Sequence, residues 1–219
     1  MPQASFQVQA PGQRRPPQPW RFDARVAGPA VLVAADGLSA TWDLRVEGGC
    51  DQVALLTRAS GATATPGPTT FWVELGHEDQ FAYVGFCAPD IDKRGTTWVG
   101  WLGQAQAWVY REDGLFKDGT GKVAPLKGAA YGSRFGRNAN VTGILHSATH
   151  VEFLVNGTSQ GNVTATVPLP ADAVPCVSGC RGTQFRLAGA PPPVPPDTQV
   201  FAGPCCRRKN RNSAGKQVL

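Results

Sequence analysis

"VEFLVNGTSQG", residues 151–161, is the stretch on which the reading of the fold turns. Val151, Phe153 and Val155 alternate with Glu152 and Leu154, the two-residue period of a strand with one face toward a core. Asn156-Gly157 follows at once. Both residues tolerate φ > 0, which a type I′ turn demands at its two central positions, so the pair predicts a tight hairpin. Asn156-Gly157-Thr158 is also a glycosylation sequon, as are Asn140-Val141-Thr142 and Asn162-Val163-Thr164. A sequon matters only in a chain that meets the glycosylation machinery. The hairpin is the reading adopted.

Outward from this stretch the pattern repeats. "AVLVA" (30–34), "FWVEL" (71–75), "FAYVGFC" (81–87), "AWVY" (107–110), "VTGILH" (141–146) and "TQFRLA" (183–188) are short runs rich in β-branched and aromatic residues. Gly, Pro, Asn and Asp clusters separate them, and none keeps a helical period over 11–18 residues. Closely spaced strands with turn chemistry between them predict an antiparallel sandwich or barrel. Trp72, Trp108, Phe153 and Leu154 are expected in its core.

The 219 residues, with 26 Gly and 19 Pro, suit one all-β domain with tails. Residues 1–19 read as a disordered Pro/Gln-rich leader, 20–189 as the folded body, and 190–219 as a Pro-rich linker with a basic tail. The leader lacks the apolar region of a secretory signal, and no run reaches the roughly 18–20 apolar residues of a membrane span. An intracellular, cytoplasmic protein is expected.

The net charge of +5 resides in the tails. Seven of the 21 basic residues and none of the acids lie before Trp20 or after Asp197, leaving 14 basic against 16 acidic residues between. A fold that bound nucleic acid would carry its Lys and Arg on itself, so no nucleic-acid role is expected of the body. The end "CCRRKNR" (205–211) admits an acylated membrane contact, a nuclear-import signal or a solubilising disordered end, the last being preferred. The prolines at 16 and 19, and at 192–196, fit SH3-type ligands but read first as linker.

Six cysteines, Cys50, Cys87, Cys176, Cys180, Cys205 and Cys206, contain no Cys-x-x-Cys pair, and His77, His146 and His150 hold no zinc-finger spacing. Buried thiols are expected, with no metal and no cofactor. Asp90 and Asp92 alternate as calcium ligands can, but the Gly and distal Glu of an EF-hand loop are missing. Nor is catalysis expected. Glu74 and Glu152 stand singly on their strands, where a glycoside hydrolase needs a facing pair of carboxylates, and no Gly-x-Ser-x-Gly elbow or phosphate loop occurs.

The order of motifs resembles the SPRY domain, the core of B30.2 modules. "FWVEL" (71–75), "YVGFC" (83–87), "WVGWLGQAQAWVYREDGLFKDG" (98–119), "YGSRFGRNANVTGILHSATHVEFLVNGTSQG" (131–161) and "PCVS" (175–178) match that family's succession over roughly residues 20–188. Asn140 stands where the family has an acid, and His146 and Ser147 replace the Asp that usually ends the next strand. The resemblance implies an all-β, bent antiparallel β-sandwich of the SPRY (concanavalin-like) type. It further implies a non-catalytic protein–protein interaction module that binds a protein or short peptide through loops at one end. An adaptor for a ubiquitin ligase or another assembly is the implied role. A lectin-like carbohydrate-binding module is the alternative.

Carried over by position, the resemblance implies four contact segments. These are Thr41, Trp42 and Asp43; His77 and Gln80; Arg94, Thr97 and Trp98; and Cys180, Arg181 and Gly182. Trp98 and Arg181 lead, because Trp and Arg are enriched among interface hot spots.

Overall fold

The computed structural model describes residues 20–46, 52–59, 67–77, 81–91, 107–118, 123–124, 131–165 and 167–187. These form fourteen strands. In chain order they open with β1 (Trp20–Ala27), β2 (Val31–Val33), β3 (Ser39–Trp42), β4 (Gln52–Arg58) and β5 (Thr69–His77). Next come β6 (Ala82–Cys87), β7 (Ala107–Arg111), β8 (Phe116–Lys117), β9 (Val123–Ala124) and β10 (Asn140–Ser147). The chain continues through β11 (His150–Val155), β12 (Thr158–Thr164), β13 (Val174–Gly179) and β14 (Gln184–Arg186).

Two antiparallel sheets result. Sheet A runs β1-β4-β13-β6-β7-β8-β9, and sheet B runs β12-β11-β10-β5-β14-β3-β2. The fold is the expected all-β sandwich. Each of the seven apolar runs read from the sequence lies on a strand: β2, β5, β6, β7, β10, β11 and β14.

The hairpin holds as well. Asn156 and Gly157 take φ of 50° and 82°, and Val155 pairs with Thr158 across the turn. Val151, Phe153 and Val155 face inward, as their alternation requires.

Side chains from both sheets interdigitate in the core. Trp20, Leu56, Phe86, Trp108 and Tyr110 of sheet A meet Trp42, Phe71, Val73, Leu75, Phe153 and Phe185 of sheet B. Phe71 stands edge-on to Phe86 with centroids 5.1 Å apart, and Tyr110 lies 5.4 Å from Phe153. Such pairs contribute about 0.5–1.5 kcal/mol beyond their buried area. Room for Phe71 comes from Gly143, where a Cβ would lie 2.5 Å from the ring.

Two expected core residues sit elsewhere. Trp108 and Phe153 are buried, but Trp72 and Leu154 are half-buried on the outward face of sheet B. The cause is the two-residue period: Phe71 and Val73 point inward, so Trp72 between them must point out. Thr142 is in register with both Trp72 and Leu154.

The outward face of sheet A carries a second apolar cluster. Val53, Leu55, Tyr83, Cys87, Val109 and Cys176 pack there, each at most 2% exposed. Sheet A is thus apolar on both sides, and β4 and β6 read as continuous buried runs.

Candidate functional site

Four segments, widely separated in the chain, meet at one end of sheet B. The first is the end of β3, where Thr41 points outward between the buried Ala40 and Trp42. The second is the turn from Cys180 to Thr183. Thr183 N donates to Cys180 O at 3.0 Å, and Gly182 takes φ 77° at the third position, as a type II turn requires. Gly182 N donates to Trp42 O (3.0 Å) and Trp42 N to Thr183 O (2.9 Å), which stitches this turn to β3.

The third segment is the end of β5. His77 Nδ1 lies 3.1 Å from Gly182 O. A carbonyl only accepts, so Nδ1 is the donor in this contact. Between His77 and Leu75 the pairing with β14 slips: Gln184 faces His77 while Phe185 faces Leu75. The bulge falls at Gly76, and a Cβ there would lie 3.0 Å from Gln184 Oε1. Gly76 thereby lets the Gln184 amide lie against the strand.

The fourth segment is the turn that leads into β10. Ala139 N donates to Gly136 O at 2.9 Å, with Asn138 at φ 65°. Asn tolerates this left-handed conformation better than other non-Gly residues. Asn138 N donates to Leu75 O (2.6 Å) and Leu75 N to Ala139 O (3.0 Å), clamping Arg137 beside the end of β5.

Together these segments border an open groove of about 590 Å³. Its floor is a directed hydrogen-bond chain. Arg186 Nη2 donates to Gln184 Oε1 at 3.3 Å, and Gln184 Nε2 approaches Thr41 Oγ1 at 3.5 Å. Leu44, 64% exposed, supplies an apolar rim. Among the described residues, no Asp or Glu lines the groove. Asp43, beside Leu44, is already engaged: hydrogen bonds from Arg45 hold its carboxyl down at about 2.

The structure brings together three of the residues expected from the sequence, namely Thr41, His77 and Gly182. Arg181 is exposed on the adjoining turn, and Asp43 flanks the groove without lining it. Two expectations need correction. Trp42 is wholly buried, with Nε1 donating to Gln52 O at 3.0 Å and its ring edge-on to Phe185, so it offers no contact surface. Cys180 is 1% exposed, and its thiol is turned into the fold. Gln80, Arg94, Thr97 and Trp98 lie outside the described residues.

Arg137, Asn138, Gln184 and Arg186 were not anticipated from the sequence, although "GRNAN" (136–140) holds the turn signal that places the first two. A smaller cavity of about 340 Å³ lies beside Glu112, Asp113 and Arg134. Its acids serve the fold: Asp113 pairs with Arg111, and Glu112, pushed up by burial, accepts from Ala82 N.

No family model matches the chain, and no curated protein matches it. Solved structures do. A human SPRY domain is 19% identical, with 72% of this chain and 93% of that one covered, at a TM-score of 0.50. The PSpry domain of TRIM65 is 15% identical over 79% of this chain and 93% of that one, with a TM-score of 0.54. Stonustoxin is 15% identical over 77% of this chain but only 28% of its own, with a TM-score of 0.51. The likeness establishes a SPRY-type fold.

Proposed function

We propose that this chain is a non-catalytic binding module that holds a protein or short peptide in the groove between Thr41, His77, Arg137 and Gly182. One observation carries the reading. Four separate segments are each tied by backbone hydrogen bonds or a bulge so that their side chains border one open groove. Preorganisation of this kind lowers the ordering cost of binding. Thr41, Gln184 and Arg186 are strand residues, so the surface extends from the loops onto the outward face of sheet B. The role that fits such a module is an adaptor carrying a bound target to a larger assembly, a ubiquitin ligase among them.

The test is affinity capture from cell lysate, with the wild type beside a His77→Ala/Arg137→Ala variant confirmed to be folded. Proteins retained by the wild type and lost by the variant support the reading. Equal retention by both moves the contact surface elsewhere.

A further inference from the structure

We infer that the groove selects an acidic peptide, one that places carboxylates against Arg137 and Arg186. This rests on the binding-module reading above and specifies the ligand for that site.

The first support is charge. Arg137 and Arg186 both line the groove, and neither takes part in any of the ion pairs formed among the described residues. Glu74 is in register with Arg186 on the neighbouring strand, yet it does not line the groove and makes no ion pair with it there. Exposed Arg25 and Arg45 each clasp a nearby carboxylate at 2.7 Å, whereas exposed Arg58, Arg134 and Arg181, like the two groove arginines, make no ion pair among the described residues. Among the described residues, therefore, the basic charge at the groove has no ion-pair partner, on a body that is slightly acidic as a whole.

The second support is hydrogen-bond direction. Gln184 Oε1 accepts from Arg186, which sets the amide so that Nε2 points toward Thr41. Thr41 Oγ1 then accepts, and its own O–H remains to donate. The remaining N–H groups of Arg186, the guanidinium of Arg137, the second hydrogen of Gln184 Nε2 and the Thr41 hydroxyl are all donors. A surface with this many donors and no carboxylate among its described lining residues is complementary to acceptor-only groups, and a carboxylate takes an arginine fork through two parallel bonds. Exposed Leu44 at the rim gives a flanking apolar side chain a place to lie, a feature that suits a peptide better than a free anion.

The experiment is a display selection with random dodecapeptides on the full chain at physiological salt, followed by affinities for selected peptides and for copies with Asp and Glu changed to Asn and Gln. Three folded variants accompany the wild type: Arg137→Glu, Arg186→Glu, and Arg25→Glu as an equal charge change on β1. Enrichment of acidic peptides is expected. Affinity should fall about tenfold or more for each groove reversal and for the amide peptides, and should hold for Arg25→Glu. It should also weaken with salt, since an open groove is screened beyond a Debye length of about 8 Å.

Selection of neutral or basic peptides overturns the acidic inference and leaves the module reading standing. So does acidic binding that Arg137→Glu and Arg186→Glu leave intact. Failure to retain peptides of any composition overturns both. Retention on phosphatidylserine vesicles without any peptide assigns the groove to a membrane surface and overturns the peptide.

Discussion

Asn156 and Asn140 hold each other through two hydrogen bonds: Asn156 N donates to Asn140 O at 2.8 Å, and Asn140 N donates to Asn156 Oδ1 at 2.9 Å. The residue that makes the hairpin turn therefore also locks that turn to the start of β10. One side chain serves the φ requirement and the tertiary anchor together.

Substituting it should separate the two. Asn156→Ala loses the bond and strains the left-handed backbone, at about 1–2 kcal/mol. Asn156→Gly keeps the conformation and loses only the bond, while Asn156→Asp keeps both and should remain near wild type. Chemical denaturation should rank stability as Asp above Gly above Ala.

Trp42 was expected at a contact surface and is instead a core residue. Trp42→Ala should destabilise the fold by about 3–5 kcal/mol, as large cavities do. Its melting temperature should fall steeply, whereas His77→Ala should shift it little. A Trp42→Ala protein as stable as wild type would refute the core assignment.

Thr142 is 4% exposed on the outward side of sheet B, and its hydroxyl finds no hydrogen-bond partner among the described residues. An unsatisfied buried hydroxyl costs about 1–3 kcal/mol. Thr142→Val keeps the shape and removes the polar atom, so it should raise stability by about 1 kcal/mol, read from the urea midpoint at unchanged slope.

Burial pushes the Tyr131 phenol up to about 12 and Tyr110 higher still. Tyr131 donates to Gly161 O at 2.5 Å and accepts from Phe153 N, while Tyr110 donates to Ser133 O. Their folded pKa values exceed the unfolded value of about 10. Stability from the neutral phenols is therefore complete below pH ~10 and is lost as pH rises from there through about 12. Alkaline titration should show phenolate absorbance from these two of the three tyrosines only beyond pH ~10, coincident with unfolding.

The hairpin and the apolar runs were legible because alternation and turn chemistry are local. Seven strands were not read that way, and three of them show why. β12, "TSQGNVT", buries only Val163 and is held by its pairing to β11. β4, "QVALLTR", is buried on both faces and shows no alternation, a run too short to tell from helix by period. In β1 the pairing slips between Phe22 and Ala27, which disrupts the alternation after its first three residues. At the groove, Thr41 and Trp42 show the limit of positional inference. They are neighbours on one strand, and a single step along it exchanges the solvent for the core. Arg137, Gln184 and Arg186 escaped notice because they meet His77 only through a bulge at Gly76 and a left-handed Asn138.

The two sides of this sandwich differ in what they can tolerate. The middle strands of sheet A are walled in above and below, so most changes to Val53, Leu55, Tyr83 or Val109 must disturb packing on one side or the other. At the groove end of sheet B, Thr41, His77, Arg137 and Arg186 can be exchanged while the layer beneath stays as it is. Mutational tolerance should therefore be lopsided: one sheet acts as a fixed chassis, and the other presents a rewritable surface on which new specificities can arise without refolding the molecule.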